Sequence, residues 1–222
     1  MIISLSGKMG SGKDTVGNII HYLLDNKNLD GNQGFNPDYN YAIGFSKFKT
    51  KKFADKLKEI ACMLIGCTRE QLEDQEFKKS FLYLEWGYWQ TSNIFKQMTV
   101  REFLQKLGTN AMRNGLHENV WVNALMCDYK PESYKRIDVV YTASSLPNWI
   151  ITDTRFPNEL EAVKKHDGIT IKITRPNCVT ADLHPSETAL DDVKFDYEII
   201  NDGTIQDLVL KVKEVLKQID LL

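Results

Sequence analysis

The chain has 222 residues and a mass of 25.5 kDa, with 42% apolar and 26% charged residues. That suits one globular domain, or one domain carrying insertions, with a full core. Lys plus Arg is 28 and Asp plus Glu is 30, a net charge of −2; the balance speaks against a nucleic-acid partner, whose scaffolds show a basic excess, but allows small anions held by local charge.

No apolar run approaches the roughly 20 residues of a membrane span, and no signal-peptide core precedes a cleavage site. The four cysteines, Cys62, Cys67, Cys127 and Cys178, form no C-x-x-C pair. A soluble, cytoplasmic protein with free, mostly buried thiols and no zinc is expected.

Ile2 to Leu5 reads as a short buried strand. It runs into the glycine-rich turn Gly7-Lys8-Met9-Gly10-Ser11-Gly12. Val16, Ile19, Ile20, Leu23 and Leu24 then recur at helical spacing. Residues 25–40 read as a loop. The second strand is either 41–45 or 50–54; the second is favoured, because Asp55 then caps a helix with the apolar face Leu57, Ile60, Ala61 and Leu64, ended by Gly66. Thr68-Arg69-Glu70-Gln71 has capping-box spacing and predicts a new short helix. Residues 77–98 hold many aromatics, which suit insertion core or a dimer contact; a homodimer stays open. Thr99 to Glu102 is a second capping box, opening a helix through Phe103, Leu104, Leu107 and Met112 to about Gly115, and a further helix is expected over 120–129.

Residues 130–148 read as a linker. Trp149 to Thr152 is an apolar strand ending at Asp153, and Pro157 fits the first turn of the next helix, which Gly168 ends. Ile169, Ile171 and Ile173 alternate as a strand, 177–192 is a polar excursion, and Tyr197 to Ile200 is the last strand. Thr204 caps a final helix through Ile205, Leu208, Val212, Val215, Leu216 and Ile219. Strands alternating with helices predict an α/β fold, a parallel sheet covered on both faces.

Gly7-Lys8-Met9-Gly10-Ser11-Gly12-Lys13 matches the phosphate loop G-x-x-x-x-G-K and stands in its context, after a strand and opening a helix. Glycines let the backbone curl so that several N–H groups face one point, and the helix N-terminus adds partial positive charge there. Lys13 then reaches the outer phosphates. The usual Ser or Thr after that lysine is Asp14 here, followed by Thr15; a carboxylate can ligate Mg2+ directly or through water, and an acidic residue at a helix start also satisfies the dipole. Asp153-Thr154-Arg155 falls at the C-terminal end of a central strand, where open α/β sheets bind ligands. No D-x-x-G switch or N-K-x-D base reader of a GTPase is found, nor the paired strand-end acids of a motor ATPase. A small-molecule kinase fits best.

Several stretches carry a closer resemblance. They are Gly10 to Thr15, Phe53 to Glu59, Arg101 to Thr109, Trp121 to Leu125, Asp153 to Glu159, His184 to Leu190, and Asn201 to Thr204. With them the chain resembles the deoxynucleoside monophosphate kinases of tailed bacteriophages over nearly its whole length, and Lys13-Asp14 becomes a match. The resemblance implies a three-layer P-loop kinase fold with a mostly parallel five-stranded sheet, in one domain over 1–222; a kinase also needs a second phosphate pocket and a cover that excludes water, for which the helical insertion at about 55–130 and a lid at about 175–192 are the candidates. The resemblance also implies phosphoryl transfer from ATP, with magnesium, to a deoxynucleoside 5′-monophosphate.

On this reading residues 7–15 hold ATP, with Lys8 either on the γ-phosphate or solvated. Asp14 and Asp153 serve the metal, Asp153 ordering either it or the arginine, and Lys13, Asp153, Arg155 and Arg175 serve transfer, against the alternatives of a surface ion pair for Asp153 and Arg155 and a surface arginine at a strand end for Arg175. Asp55, Lys58, Arg101, Gln105, Thr109, Arg113, Trp121, Arg155 and Glu187 serve the acceptor, against the alternatives of an exposed polar face and a core tryptophan. The lysines from 47 to 58 read as solvated edges. Two rivals stay open: another small-molecule kinase, of the dephospho-coenzyme A or phosphomevalonate type, and a nucleotide-dependent binding protein without turnover.

Overall fold

Ile2–Ser6 forms β1, and all five residues are buried. Its Ile2, Ile3 and Leu5 side chains are 0% exposed, each worth about 1.5–3 kcal/mol of transfer from water. A strand so apolar has to lie inside a sheet covered on both faces. In the computed structural model, which describes residues 1–26, 34–43, 47–90, 94–131, 133–136, 139–142, 145–176 and 188–222, it does.

Helix α1 (Lys13–Asp25) follows the glycine turn. Then come β2 (Phe48–Lys51), α2 (Asp55–Ile65), α3 (Gln75–Lys79), the two-residue strands β3 (Tyr88–Trp89) and β4 (Phe95–Lys96), α4 (Val100–Gln105) and α5 (Val120–Met126). The chain continues through β5 (Ser133–Arg136), β6 (Val139–Thr142), β7 (Asn148–Thr154), α6 (Pro157–Lys164), β8 (Ile169–Thr174), β9 (Tyr197–Ile200) and α7 (Ile205–Gln218).

The main sheet is parallel in the order β2-β7-β1-β8-β9, with Ile2 opposite Trp149, Ile3 opposite Ile169, Phe48 opposite Asn148 and Ile171 opposite Tyr197. One face carries Ile3, Leu5, Ile150, Ile171 and Ile173 against Val16, Ile19 and Ile20 of α1 and Leu208, Val212 and Leu216 of α7. On the other, α6 packs against β1 and β8.

Two compact units divide the chain: residues 1–52 with 127–222, which hold the main sheet, and Phe53–Met126. The second has its own core of Ala61, Leu72, Leu82, Val100 and Phe103, with Ile65, Phe77, Trp86 and Leu107 packed on it.

Several expectations need correction. The second strand is Phe48–Lys51, not 50–54, and Tyr41–Ile43 is a single 3-10 turn. Asp55 is the first residue of α2, not its cap; Ala54 holds that place without a side-chain bond. Leu64 is 49% exposed, and Ile65 takes its place in the core. The Thr68–Gln71 box does form, with the Thr68 amide donating to Gln71 Oε1 at 2.8 Å, but it closes only a turn; the helix starts later, at Gln75, capped by Asp74. Residues 106–114 leave α4 as a π-helical stretch. The 130–148 segment contains the hairpin β5–β6. Cys62 and Cys67 are half-buried and Cys127 is exposed, so the thiols are not mostly buried. Cys178, His184, Glu187 and most of the 175–192 segment lie outside the described residues.

Candidate active site

The turn after β1 has positive φ at Gly7 (152°), Gly10 (79°) and Gly12 (100°). Gly12 is the cap of α1 and stands in the left-handed region, which side-chain-bearing residues enter at a cost. A Cβ there would also meet Asn201 Nδ2 at 2.7 Å. The Asn201 amide donates instead to the Ser11 carbonyl at 2.9 Å, and its own N–H bonds Thr174 O at 2.7 Å. The end of β9 thus clasps the loop.

Lys13 is buried and folds back over the turn, donating to Gly7 O at 2.6 Å and Lys8 O at 2.9 Å. Its ammonium thus lies against the backbone of the glycine turn. Ser11 is 1% exposed, and its Oγ has no hydrogen-bond partner among the described residues. A buried hydroxyl without a partner is costly unless something enters to meet it.

Ser11 faces a cavity of about 370 Å³ lined by Ser6, Gly7, Lys8, Thr154, Arg155, Lys172, Arg175, Asp191 and Glu198, among others. Four cations and two carboxylates meet there. Lys8 lies 3.4 Å from Asp191, and Lys172 donates to the Asp191 carbonyl at 3.0 Å. Thr154 is buried and shares a 2.7 Å hydroxyl bond with Ser4. The Arg155 amide donates to Glu159 Oε2 at 2.7 Å, as does Phe156 at 3.1 Å, so the buried Glu159 fixes the turn that presents Arg155. Met9 is exposed and Thr15 half-buried.

Asp14 is exposed at the start of α1, and its Oδ1 meets Lys52 Nζ at 2.9 Å and accepts from Thr152 Oγ1 at 3.0 Å. Crowding by the fold would raise its pKa, but the Lys52 hydrogen bond and charge, the Thr152 hydroxyl and the Lys13 charge outweigh it and hold the carboxyl below its ordinary range. Asp153 is half-buried, one residue beyond Thr152. Among the described residues no cluster of three or more His, Cys, Asp or Glu could cage a metal. The donors present are hard oxygens: the Asp14 carboxylate, the Thr15 hydroxyl and the Asp153 carboxylate. That set fits magnesium, which binds through one or two carboxylates plus substrate phosphates.

In the Phe53–Met126 unit, Arg69 bridges Asp55 at 2.7 Å and Glu73 at 3.1 Å, while Lys58 pairs with Glu73 at 2.7 Å. Arg101 donates to Gln75 and Arg113 to Glu118 O. Gln105 and Thr109 are half-buried. Trp121 is buried and donates its indole N–H to Gly108 O at 2.9 Å, so it packs α5 onto the π-helical stretch. The lysine run is dispersed: Lys52 pairs with Asp14, Lys56 with Glu59 and Lys58 with Glu73.

The sequence alone gives no site role to Lys172, Thr152 or Asp191; Asn201 stands in it only as part of a matching stretch, and Lys52, read as a solvated edge, has a side chain 24% exposed and paired with Asp14. Lys172 had a signal, a charge between Ile171 and Ile173 near the C-terminal end of a buried strand. The others act from distant parts of the chain.

The chain matches the family model of the deoxynucleotide monophosphate kinases over residues 50–212. It is 28% identical to a protein of Acanthamoeba polyphaga mimivirus provisionally named as such a kinase, over 96% of this chain and 94% of that protein. It is 30% identical to the deoxynucleotide monophosphate kinase of Enterobacteria phage T4, over 57% of this chain and 48% of that one. To the deoxynucleoside-5′-monophosphate kinase of Escherichia phage T5 it is 24% identical, over 96% and 94%.

Proposed function

The chain belongs to the deoxynucleotide monophosphate kinase family, and on that premise we propose how its residues carry phosphoryl transfer from ATP to a deoxynucleoside 5′-monophosphate, giving ADP and the diphosphate. The observation that carries the reading is the glycine turn at residues 7–13, with the buried Lys13 ammonium folded over it and the Ser11 hydroxyl, without a partner among the described residues, facing a cavity lined by four cations.

The loop amides and the N-terminus of α1 bind the outer phosphates of ATP. Lys13 exchanges the carbonyls of Gly7 and Lys8 for phosphate oxygens, and Ser11 donates its hydroxyl proton to another. The acceptor phosphate is already ionised near neutral pH, with a second pKa of about 6, so no side chain has to act as a strong base. What must be supplied is positive charge around the transferring group. A cation at about 4 Å contributes roughly 4 kcal/mol before desolvation, at an effective dielectric near 20. Arg155, Arg175, Lys172 and Lys8 are the cations gathered at the cavity. Arg155 is held by Glu159 through its own amide and suits the acceptor or transferring phosphate. Magnesium, when bound, neutralises charge on the outer phosphate oxygens; Asp14, with Thr15 and Asp153, would hold it.

We assign acceptor recognition to the Phe53–Met126 unit, through Asp55, Lys58, Arg101, Gln105, Thr109 and Arg113. The Arg69 and Glu73 pairs fix the first two of these.

ADP release measured across deoxynucleoside and ribonucleoside monophosphates tests this. Acceptor-dependent turnover is expected with at least one deoxynucleotide, and Lys13→Ala should lose about 100-fold or more while still folding. Hydrolysis of ATP indifferent to every acceptor, or full turnover in Lys13→Ala, would count against the proposal.

A further inference from the structure

Asp14 puts a full negative charge at the mouth of a loop built to take phosphates. The structure shows what offsets it. Lys52, just past the end of β2, brings Nζ to 2.9 Å from Asp14 Oδ1, with its side chain only 24% exposed against 74% for Asp14. Thr152 of β7 donates to the same oxygen at 3.0 Å. One oxygen is thereby held by two donors, one just past β2 and one in the adjacent β7.

We infer that Lys52 is a positioning residue that sets the coupling between magnesium and nucleotide binding, acting through Asp14. The inference rests on the placement of Asp14 at the metal proposed above. Without a divalent cation, an uncompensated carboxylate beside the loop would repel the nucleotide's phosphates; the Lys52 ammonium lowers that repulsion. With a divalent cation bound, the carboxylate already has a counter-charge and Lys52 matters less. Lys52 also fixes which oxygen faces outward, since Oδ1 is pinned to it and to Thr152. A lysine that merely touched phosphate would affect nucleotide binding equally with and without metal, and would not need Asp14.

The experiment is a cycle of ADP titrations by calorimetry on the full chain, each in magnesium and in EDTA, with wild type, Lys52→Met, Asp14→Asn and the double variant. The quantity read is the ratio of the two dissociation constants, EDTA over magnesium. Because the pair is partly solvated, a change of about two- to fivefold is expected. Lys52→Met should raise the ratio by that factor, mainly by weakening metal-free ADP. Lys52→Arg should restore it, and in the Asp14→Asn background Lys52→Met should change nothing. If Lys52→Met fails to fold, Lys52→Gln gives the same reading with a polar side chain in place.

Equal weakening in magnesium and EDTA, or the same effect with and without Asp14, would overturn the role of Lys52 while leaving the kinase reading intact. An Asp14→Asn ratio identical to wild type would overturn both Asp14 as metal ligand and this inference. Failure of wild type to bind ADP at all would instead strike at the proposed function.

Discussion

Gly12 meets two requirements at once, a φ of 100° and room for the Asn201 amide where a Cβ would fall. Gly12→Ala is therefore expected to strain the backbone and displace the clasp on Ser11 O, so that ADP affinity falls at least about tenfold while α1 and the sheet persist; calorimetry with circular dichroism checks both parts. His21 offers a second test at this scale. It is 0% exposed, hydrogen-bonded through Nε2 to Thr50 Oγ1 at 2.9 Å, and burial lowers its pKa from 6.5 to about 4. The unfolded chain takes up this proton near pH 6.5, whereas the folded chain resists until about pH 4. Stability from this group is therefore full above pH 6.5 and is lost on acidification to about 4, on the order of 3 kcal/mol in all. Urea unfolding at pH 7 and 4.5 should show less acid loss in His21→Gln than in wild type; equal losses would remove His21 as the cause. The residues that sequence motifs name, Gly7 to Lys13, were legible because they are contiguous. Their partners were not, since Asn201 lies 190 residues from Ser11 and Thr152 lies 138 from Asp14.

At the scale of elements, the units that read correctly are those with a strong period and clear punctuation: β1 with α1, β7 with the Pro157 start of α6, β8, and β9 with the Thr204 cap of α7. Local hydrogen bonds misled where tertiary packing did not follow them. The Thr68 box is satisfied, yet Leu72 is drawn fully into the core and the chain stays a turn until Asp74. The hairpin β5–β6 escaped notice because it sits in a largely polar stretch. The stretch 106–114 is π-helical, and its i→i+5 bonding widens the turn. Trp121 secures this stretch through Gly108 O. Trp121→Phe leaves that buried carbonyl without its donor and is expected to cost about 1–3 kcal/mol in urea unfolding, plus a small cavity penalty. A loss below about 0.5 kcal/mol would mean that the bond contributes little.

For the whole molecule, a net charge of −2 hides a local concentration of positive charge. Among the described residues, Lys8, Arg155, Lys172 and Arg175 share one cavity with Asp191 and Glu198, and Lys8 and Lys172 each engage Asp191. Composition shows the overall balance but not where the cations gather. Because part of this cluster is open to solvent, ADP affinity should weaken as salt rises from low to near-molar concentration, where screening acts within about 3 Å; affinity indifferent to salt would contradict the electrostatic account. The most direct test is a crystal structure with a non-hydrolysable ATP analogue. The outer phosphates should lie within hydrogen-bonding distance of the amides of Gly10 to Lys13, with Lys13 Nζ moved from the carbonyls of Gly7 and Lys8 onto phosphate oxygens. A triphosphate bound elsewhere, with Lys13 still on those carbonyls, would contradict it.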